Sequence, residues 1–244
     1  MWNHFNKEVF VIFWQLELQD IQLPQQTYEE QIQLKDHEVQ RLQSSIGNAS
    51  GGPNGSGGGD KASGEQITNK DQVKKVNKEI DSIIKMQNDL REELEQAQRV
   101  RYENTLKFLR ERLSGHFAQI EDEMGVSHFV TQYCLYPRLM FSPADAVYSI
   151  KFLKILVDLR VPKINVLNIF AQIMKGIIPT IHCCTNNESE NLGVFFMEWF
   201  NMIDRWTRDN GTIWKNECAD YSGFSRKVGQ TEPDSIVTLD DYIE

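Results

Sequence analysis

The chain has 244 residues, a formal net charge of −9 and a sequence pI near 5.2. This length allows one or two domains. The 40% hydrophobic residues are enough for a core, while a mean hydropathy of −0.47 indicates that a sizeable part stays in water. The negative charge argues against nucleic-acid binding by the whole surface, because phosphate contacts need clustered lysine and arginine.

The apolar runs argue against a membrane-spanning or secreted protein, and the cysteines argue against a zinc-binding one. The run Val9–Trp14 is too short to span a membrane, and no basic segment precedes it as in a signal peptide. The stretch Ile164–Ile181 is more apolar, but polar residues and Pro179 interrupt it, so we predict a buried helix. The cysteines form no C-x-x-C pair or recognised zinc spacing, so we predict buried, reduced thiols in an intracellular protein. They are Cys134, Cys183, Cys184 and Cys218.

Residues 1–46 are predicted to form the N-terminal helices. The first helix covers residues 1–24, because apolar side chains recur there at spacings of three and four, and Pro24 ends it. These side chains are Phe5, Val9, Ile12, Phe13 and Leu16. A second helix runs from about Gln25 to Ile46. Its apolar stripe is thinner, so we expect it to share a core with a partner helix.

Residues 47–68 are predicted to be a flexible linker rich in Gly and Ser, and residues 69–124 a long coiled-coil helix. Apolar residues recur in this helix from Val73 to Ala97. Polar residues interrupt the pattern at Gln87 and, after Ala97, at Arg101. After a phase shift the pattern continues from Leu106 to Met124. We expect the helix before the linker to be its antiparallel partner, which makes a helical hairpin. A homodimeric coiled coil is the alternative.

Residues 125–228 are denser in apolar side chains and are predicted to form a compact helical domain, followed by a loose acidic tail over residues 229–244. The predicted helices cover about Ser127–Tyr136, which Pro137 stops, then about 143–159, 163–181, 186–210 and 213–219. Ser142-Pro143 is typical of a helix start, and Thr185 with Glu188 matches a capping box. The predicted fold is therefore all-α: a long helical hairpin or coiled-coil arm plus a compact multi-helix, α-solenoid-like bundle.

No pattern predicts catalysis, a cofactor or a metal. The linker glycines lack the strand and helix of a phosphate loop, and H-E-x-x-H and G-x-S-x-G are absent. The group His182-Cys183-Cys184 is interpreted as a packed helix end, and a hydrolase built on His182, Cys184 and a carboxylate is the weaker alternative. Four carboxylates are candidate acids or bases: Glu121, Asp122, Glu123 and Glu217. The first three lie at a charged helix end and are interpreted as solvated surface. An aromatic series is interpreted mainly as core, with one side available to a neighbouring subunit. It comprises Phe195, Phe196, Trp199, Phe200 and Trp206.

An ordered series of short motifs resembles the THO complex subunit 2 family. The stretches are Cys134-Leu-Tyr-Pro-Arg138, Phe141-Ser-Pro-Ala-Asp-Ala-Val-Tyr148, Cys184-Thr-Asn-Asn-Glu188, Trp206, and Glu217-Cys218 with Tyr221, Gly223 and Phe224. The lead-in is also similar, through Phe13-Trp14, Leu16, Asp20, Pro24 and Tyr28. The resemblance covers nearly the whole chain except the linker, where the family has a charged, coiled-coil-like insertion.

The resemblance implies a non-enzymatic scaffold in the nucleus that packages mRNA and couples transcription to its export. Its implied partners are the other THO complex subunits and a DEAD-box RNA helicase, with the mRNP contacted indirectly and no membrane or small-molecule substrate. The residues that bind partners stay unknown. The family subunit is several times longer and ends in a basic tail, whereas this chain ends in Asp240, Asp241 and Glu244, so we expect a fragment, a split gene product or a reduced relative. Direct RNA binding is the alternative function, through Lys70, Lys74, Lys75 and Lys78.

Overall fold

A computed structural model describes residues 7–50, 65–118, 122–227 and 235–243. The chain divides into two compact units, one made of the residues up to Gln22 together with Tyr102 onward, and one made of Leu23–Arg101. Within the described ranges the regular structure is helical, and the sole β interaction is an isolated bridge between Ser225 and Ile236. The predicted all-α fold is confirmed.

The helices in chain order are α1 (Lys7–Gln15), α2 (Leu18–Ile21), α3 (Gln25–Ser50), α4 (Glu65–Glu92), α5 (Arg99–Ala118), α6 (Glu123–Phe129), α7 (Tyr136–Leu139), α8 (Pro143–Asp158), α9 (Val166–Cys183), α10 (Asn186–Thr207), α11 (Thr212–Glu217) and α12 (Leu239–Ile243). Two π-helical turns, Glu93–Gln98 and Val130–Leu135, precede α5 and α7. Two short 3₁₀ turns, Asp209–Gly211 and Ser222–Phe224, flank α11.

The unit formed by Leu23–Arg101 is an antiparallel hairpin of α3 and α4. The Gln87 side chain in α4 donates hydrogen bonds to the Asp36 carboxylate at 2.8 Å and the Ile32 carbonyl at 3.2 Å. The Tyr28 side chain, one turn earlier in α3, interacts with Glu93, which lies later in the chain than Gln87. Earlier residues of α3 therefore face later ones of the second arm. The predicted intramolecular hairpin is confirmed. The helices extend into the predicted 47–68 linker at both ends, and its centre lies outside the described residues.

The phase shift in the apolar pattern of residues 69–124 coincides with the π-helical turn Glu93–Gln98. A π turn holds one more residue than an α turn, so it rotates every later side chain by about 100° around the axis. Ile80 and Ile83, before the turn, are buried in the hairpin, while Leu109 and Leu113, after it, are buried in the other unit. One apolar stripe thus supplies two cores.

The larger unit has one contiguous core. Residues from α1, α5, α6, α8, α9 and α10 contribute to it, together with those around α11. Its largest fully buried side chains include Phe13, Phe117, Tyr148, Phe195, Trp206 and Phe224.

Two predicted helix boundaries were wrong. Residues 1–24 do not form one helix: α1 ends at Gln15, and Glu17 caps the separate α2 through a capping box with Asp20. Pro137 does not end the helix before it either, because the chain passes through a π-helical turn and continues as α7 to Leu139. Pro137 directly follows this turn, in which the Tyr136 N–H donates to the Thr131 carbonyl five residues earlier, so the chain stays helical through the proline.

The described part of the predicted acidic tail, residues 235–243, is ordered against the larger unit. Tyr242 of α12 packs on Trp214, with ring centroids 4.6 Å apart. Arg226 donates its backbone N–H to the Ser235 carbonyl at 2.8 Å, and its guanidinium donates to Asp241 at 2.5 Å. Aromatic packing and an ion pair therefore hold a segment whose acidic composition had predicted a loose tail.

Candidate functional site: the Arg138 cluster and the uncovered face of helix α9

Arg138, in α7, is a buried arginine with only 6% of its surface exposed. Its Nη1 donates to the Phe13 carbonyl, its Nη2 to the Leu16 carbonyl at 2.7 Å, and its Nε to Oδ1 of Asp145 at 2.9 Å. The guanidinium also lies over the Tyr148 ring, 3.5 Å from its centroid. A planar group with five N–H donors makes these contacts together, which the single ammonium of a lysine cannot do.

The carbonyls that Arg138 binds belong to the C-terminal end of α1. The last four carbonyls of a helix have no partner within the helix, and a cation there is also favoured by the helix dipole. The Tyr148 hydroxyl donates a second hydrogen bond to the Phe13 carbonyl at 2.9 Å. Arg138 and Tyr148 thereby attach α1 to α7 and α8 across up to 135 residues of sequence. The same contacts explain why the first helix ends before Leu16.

The residues around Arg138 are held in place by local hydrogen bonds. Ser142 caps α8: its Oγ accepts from the Asp145 N–H at 3.1 Å and donates to Oδ2 of the same carboxylate at 2.7 Å. The other carboxylate oxygen, Oδ1, is then directed at Arg138. Phe13 completes the cluster, because its ring packs edge-on against Tyr148 at 5.4 Å and Phe152 at 5.0 Å.

A second cluster surrounds Trp206 at the end of α10. The indole Nε1 donates to Oε2 of Glu217 at 3.1 Å, and Arg205 forms an ion pair with the same carboxylate. Phe224 packs edge-on against the Trp206 ring at 5.2 Å. Glu217, a candidate acid or base from the sequence, is thus the hydrogen-bond acceptor that connects α10 to α11.

Tyr221 and Gly223 form a third structural contact. The Tyr221 hydroxyl donates to the Val161 carbonyl at 2.8 Å, which ties the end of the chain's helical bundle to the turn before α9. A Cβ on Gly223 would lie 2.9 Å from the Ile164 carbonyl oxygen. Only glycine lets the two backbones approach this closely.

The predicted capping box at Thr185 is confirmed. The Thr185 N–H donates to Oε2 of Glu188 at 2.7 Å, and its hydroxyl accepts from the Glu188 N–H at 3.4 Å. The hydrogen bond from the Thr185 backbone lowers the pKa of Glu188. His182 and Cys183, which precede this box, are exposed rather than packed as predicted. Within the described ranges no three His, Cys, Asp or Glu side chains are grouped to hold a metal ion.

The prediction of four buried thiols was half right. Cys134 and Cys218 are fully buried, and burial raises the pKa of each thiol to about 12. Such thiols are not nucleophiles near neutral pH. Cys183 is exposed and Cys184 half-buried, because α9 ends at Cys183 and the chain turns toward α10.

Asp122 and Glu123 also have structural roles. The Asp122 carboxylate accepts from the Gly125 N–H at 2.9 Å and caps α6, and Glu123 forms an ion pair with Lys163 at 2.9 Å. Glu121 lies outside the described residues. Asp122 therefore acts as a helix cap and Glu123 as an ion-pair partner.

The predicted burial of α9 was wrong for its second half. The first half is covered, with Val166, Ile169, Phe170 and Ile173 buried, but the side chains beyond are largely exposed. Composition alone could not show this, because apolar positions that pack inside and those that await a partner look alike. By length and composition α9 passes as a membrane-spanning helix, and it alone does so among the described residues.

The aromatic series of α10 divides in two, as predicted. Phe195, Trp199 and Trp206 are buried, and Trp199 packs against Phe170 of α9 with centroids 4.8 Å apart. Phe200 remains 57% exposed. One side of the helix therefore belongs to the core, and the other is accessible.

The chain matches the Tho2 family profile, described as transcription factor/nuclear export subunit protein 2, over residues 2–244. It is 27% identical to THO complex subunit 2 of Arabidopsis thaliana over 229 residues, 92% of this chain and 11% of that protein. The human THO complex subunit 2 is 25% identical over 225 residues, 92% and 12% of the two chains. That of Saccharomyces cerevisiae is 35% identical over 77 residues, 30% and 4%. The chain thus spans about a tenth of the length of the first two relatives. Because the profile covers almost every residue, the chain belongs to the Tho2 family.

Proposed function

We propose that the chain is a non-enzymatic scaffold segment of a THO-like complex that couples transcription to mRNA processing and nuclear export. The observation that carries the proposal is that residues of the family motifs form contacts between helices. Arg138, Asp145, Trp206, Glu217 and Tyr221 all hold helices together instead of meeting in a reactive pocket. A scaffold needs such rigid helix contacts and no catalytic group.

The proposed partners are the other subunits of the THO complex, which relatives named THO complex subunit 2 would accompany. A DEAD-box RNA helicase would supply ATPase chemistry, the mRNP would be contacted indirectly, and the site of action would be the nucleus. In the proposed domain organisation, N-terminal helices (1–46), a linker (47–68) and a coiled-coil arm (69–124) precede the helical domain (125–228) and an acidic tail (229–244).

Affinity purification of the tagged chain from nuclear extract tests the proposal, with the tag alone as control. We expect THO subunits in the eluate, and recovery of none with a soluble, monomeric chain contradicts the scaffold role. A second purification from extract treated with ribonuclease distinguishes the RNA-binding alternative. Recovery that survives the treatment supports protein contacts, and recovery that disappears supports tethering through RNA.

A further inference from the structure

The second half of α9 carries an uncovered apolar strip made of Met174, Ile178 and Ile181, which are 49%, 68% and 55% exposed. Their spacings of four and three place them on one side of the helix. The strip extends the apolar surface that begins with Phe170 and Ile173, which are buried against the unit's own helices. One helix surface is therefore covered by helices in its first half and left open in its second.

The orientation of α9 is fixed, so the strip cannot turn inward. The Tyr136 hydroxyl donates to the Ile173 carbonyl at 2.7 Å. A Cβ on Gly176 would lie 2.5 Å from that hydroxyl oxygen, so Tyr136 already fills the space beside this glycine. Gly176 lies roughly 160° around the helix from Met174 and Ile178, since each residue advances by about 100°. The strip faces away from Tyr136 as a consequence.

A lipid bilayer does not fit this strip. Ten residues from Met174 to Cys183 span about 15 Å, roughly half the thickness of the hydrocarbon core. Insertion of all of α9 would require removing Ile169 and Ile173, both fully buried, from the core. Pro179 lies within the exposed half, where the missing N–H leaves the Lys175 carbonyl without its usual helical partner. The strip runs for about two turns of α9, from Met174 to Ile181, and a helix of a partner protein can cover such a length with its apolar side.

Lys175 is the charged residue of α9 that borders the strip. It lies three residues before Ile178 and hence on the same side of the helix. The helix contains no acidic residue, and Lys175 is exposed with no ion pair among the residues that the structure describes. A partner helix with an acidic side chain opposite Lys175 would complement this edge. Such charge complementarity fixes register and orientation more than affinity.

We propose that Met174, Ile178 and Ile181 form a docking surface for an amphipathic helix of a partner protein, whose acidic side chain pairs with Lys175. The inference rests on the proposed scaffold function and names the surface that would serve it. Burial of one isoleucine at such a site strengthens binding by about ten- to a hundredfold. An aspartate at position 178 would lose this gain and place a charge in an apolar contact.

The test uses the full chain within the purified complex, with a benzophenone photocrosslinking residue at position 178. The same residue at position 34 is the matched control, because Leu34 is 67% exposed but lies on the hairpin. We expect crosslinks from position 178 to one helical segment of another subunit, with apolar residues at spacings of three and four and an Asp or Glu beside them. The proposal is overturned if position 178 crosslinks to lipid, to a second copy of this chain or to a segment without this pattern. It is also overturned if position 178 gives no crosslink.

Variant affinities complete the test. We expect Ile178→Asp to weaken binding of the crosslinked subunit by at least about tenfold and Leu34→Asp to leave it unchanged. Lys175→Glu should weaken it several-fold, and reversal of the partner's acidic residue to lysine should restore it. If the wild-type chain binds THO subunits and Ile178→Asp binds them equally, the docking surface is wrong and the scaffold function stands. If the wild-type chain recovers no THO subunit, the scaffold function itself fails, and an absent crosslink at position 178 rejects the docking surface too.

Discussion

Replacing Arg138 with alanine removes the side chain that attaches α1 to α7 and α8. The carbonyls of Phe13 and Leu16 lose their charged donor, and Asp145 loses its partner in a mostly buried ion pair. Tyr148 loses the guanidinium over its ring but still donates to the Phe13 carbonyl. The change therefore weakens the docking of α1 and α2 specifically and leaves the hairpin unit intact.

The expected loss is about 3–5 kcal/mol in the free energy of unfolding of the larger unit, as for other buried ion pairs broken from one side. A hydrogen bond to a charged group alone contributes about 1.5–3 kcal/mol, and two of these end on α1. The contributions are not additive, since one side chain makes all of them. The Asp145 side chain is 30% exposed, so water partly replaces its lost partner. Arg138→Lys should lose roughly half as much, because it retains the charge and one donor direction.

Hydrogen–deuterium exchange measures this loss where it occurs. Amides of α1 and α2 should exchange more than about a hundredfold faster in Arg138→Ala, since 3 kcal/mol corresponds to that change in the open population. Amides of α4 should be unchanged. Arg208→Ala is the control, because its ion pair with Asp204 is exposed and should contribute no more than about 0.5 kcal/mol. Unchanged exchange of α1 in Arg138→Ala would refute the role assigned to the arginine.

Four further predictions follow from the hairpin, the thiols and the lysines. Gln87→Leu should retain the helical content but broaden the distribution of distances between spin labels at positions 40 and 81. The reason is that the buried Gln87–Asp36 hydrogen bond fixes the register of the hairpin. A single narrow distance distribution in the variant would contradict this prediction. Iodoacetamide at pH 8 should modify Cys183 and spare Cys134 and Cys218, as read by mass spectrometry. Burial raises the pKa of Cys134 from 9.0 to about 12. The neutral thiol therefore contributes fully to the free energy of unfolding below pH 9, and this contribution is lost as the pH rises from 9 toward 12, by up to about 1.4 kcal/mol per pH unit. Urea midpoints that stay constant across this pH range would contradict the prediction. Filter binding near 50 mM salt (roughly where phosphate contacts are strong) should detect no RNA, because Lys74, Lys75 and Lys78 are interleaved with acidic side chains, and a steep salt dependence would favour the RNA-binding alternative.

The sequence predicted those features whose cause lies within three or four residues. Ser142 caps α8 and Thr185 forms its box with Glu188, as their local patterns indicated. The antiparallel hairpin was also predictable, because a thin apolar stripe on each arm requires a partner. The order of the motifs was sufficient to indicate the family.

Features caused by distant residues were not predictable. The end of α1 before Leu16 depends on Arg138, which is 122 residues away in the sequence. A lone arginine in the apolar stretch Tyr136–Phe141 was the available sign that a buried acceptor existed, but nothing indicated which one. The exposure of Ile178 could not be read from its neighbours either, since burial depends on whether another helix covers the strip.

Co-expression of the chain with the other THO subunits, followed by native mass spectrometry, tests the scaffold role most directly. Direct contact predicts a stoichiometric complex that contains the chain and at least one other subunit and that survives ribonuclease treatment. A chain that remains soluble and folded but is detected only alone, or only together with RNA, would contradict the account.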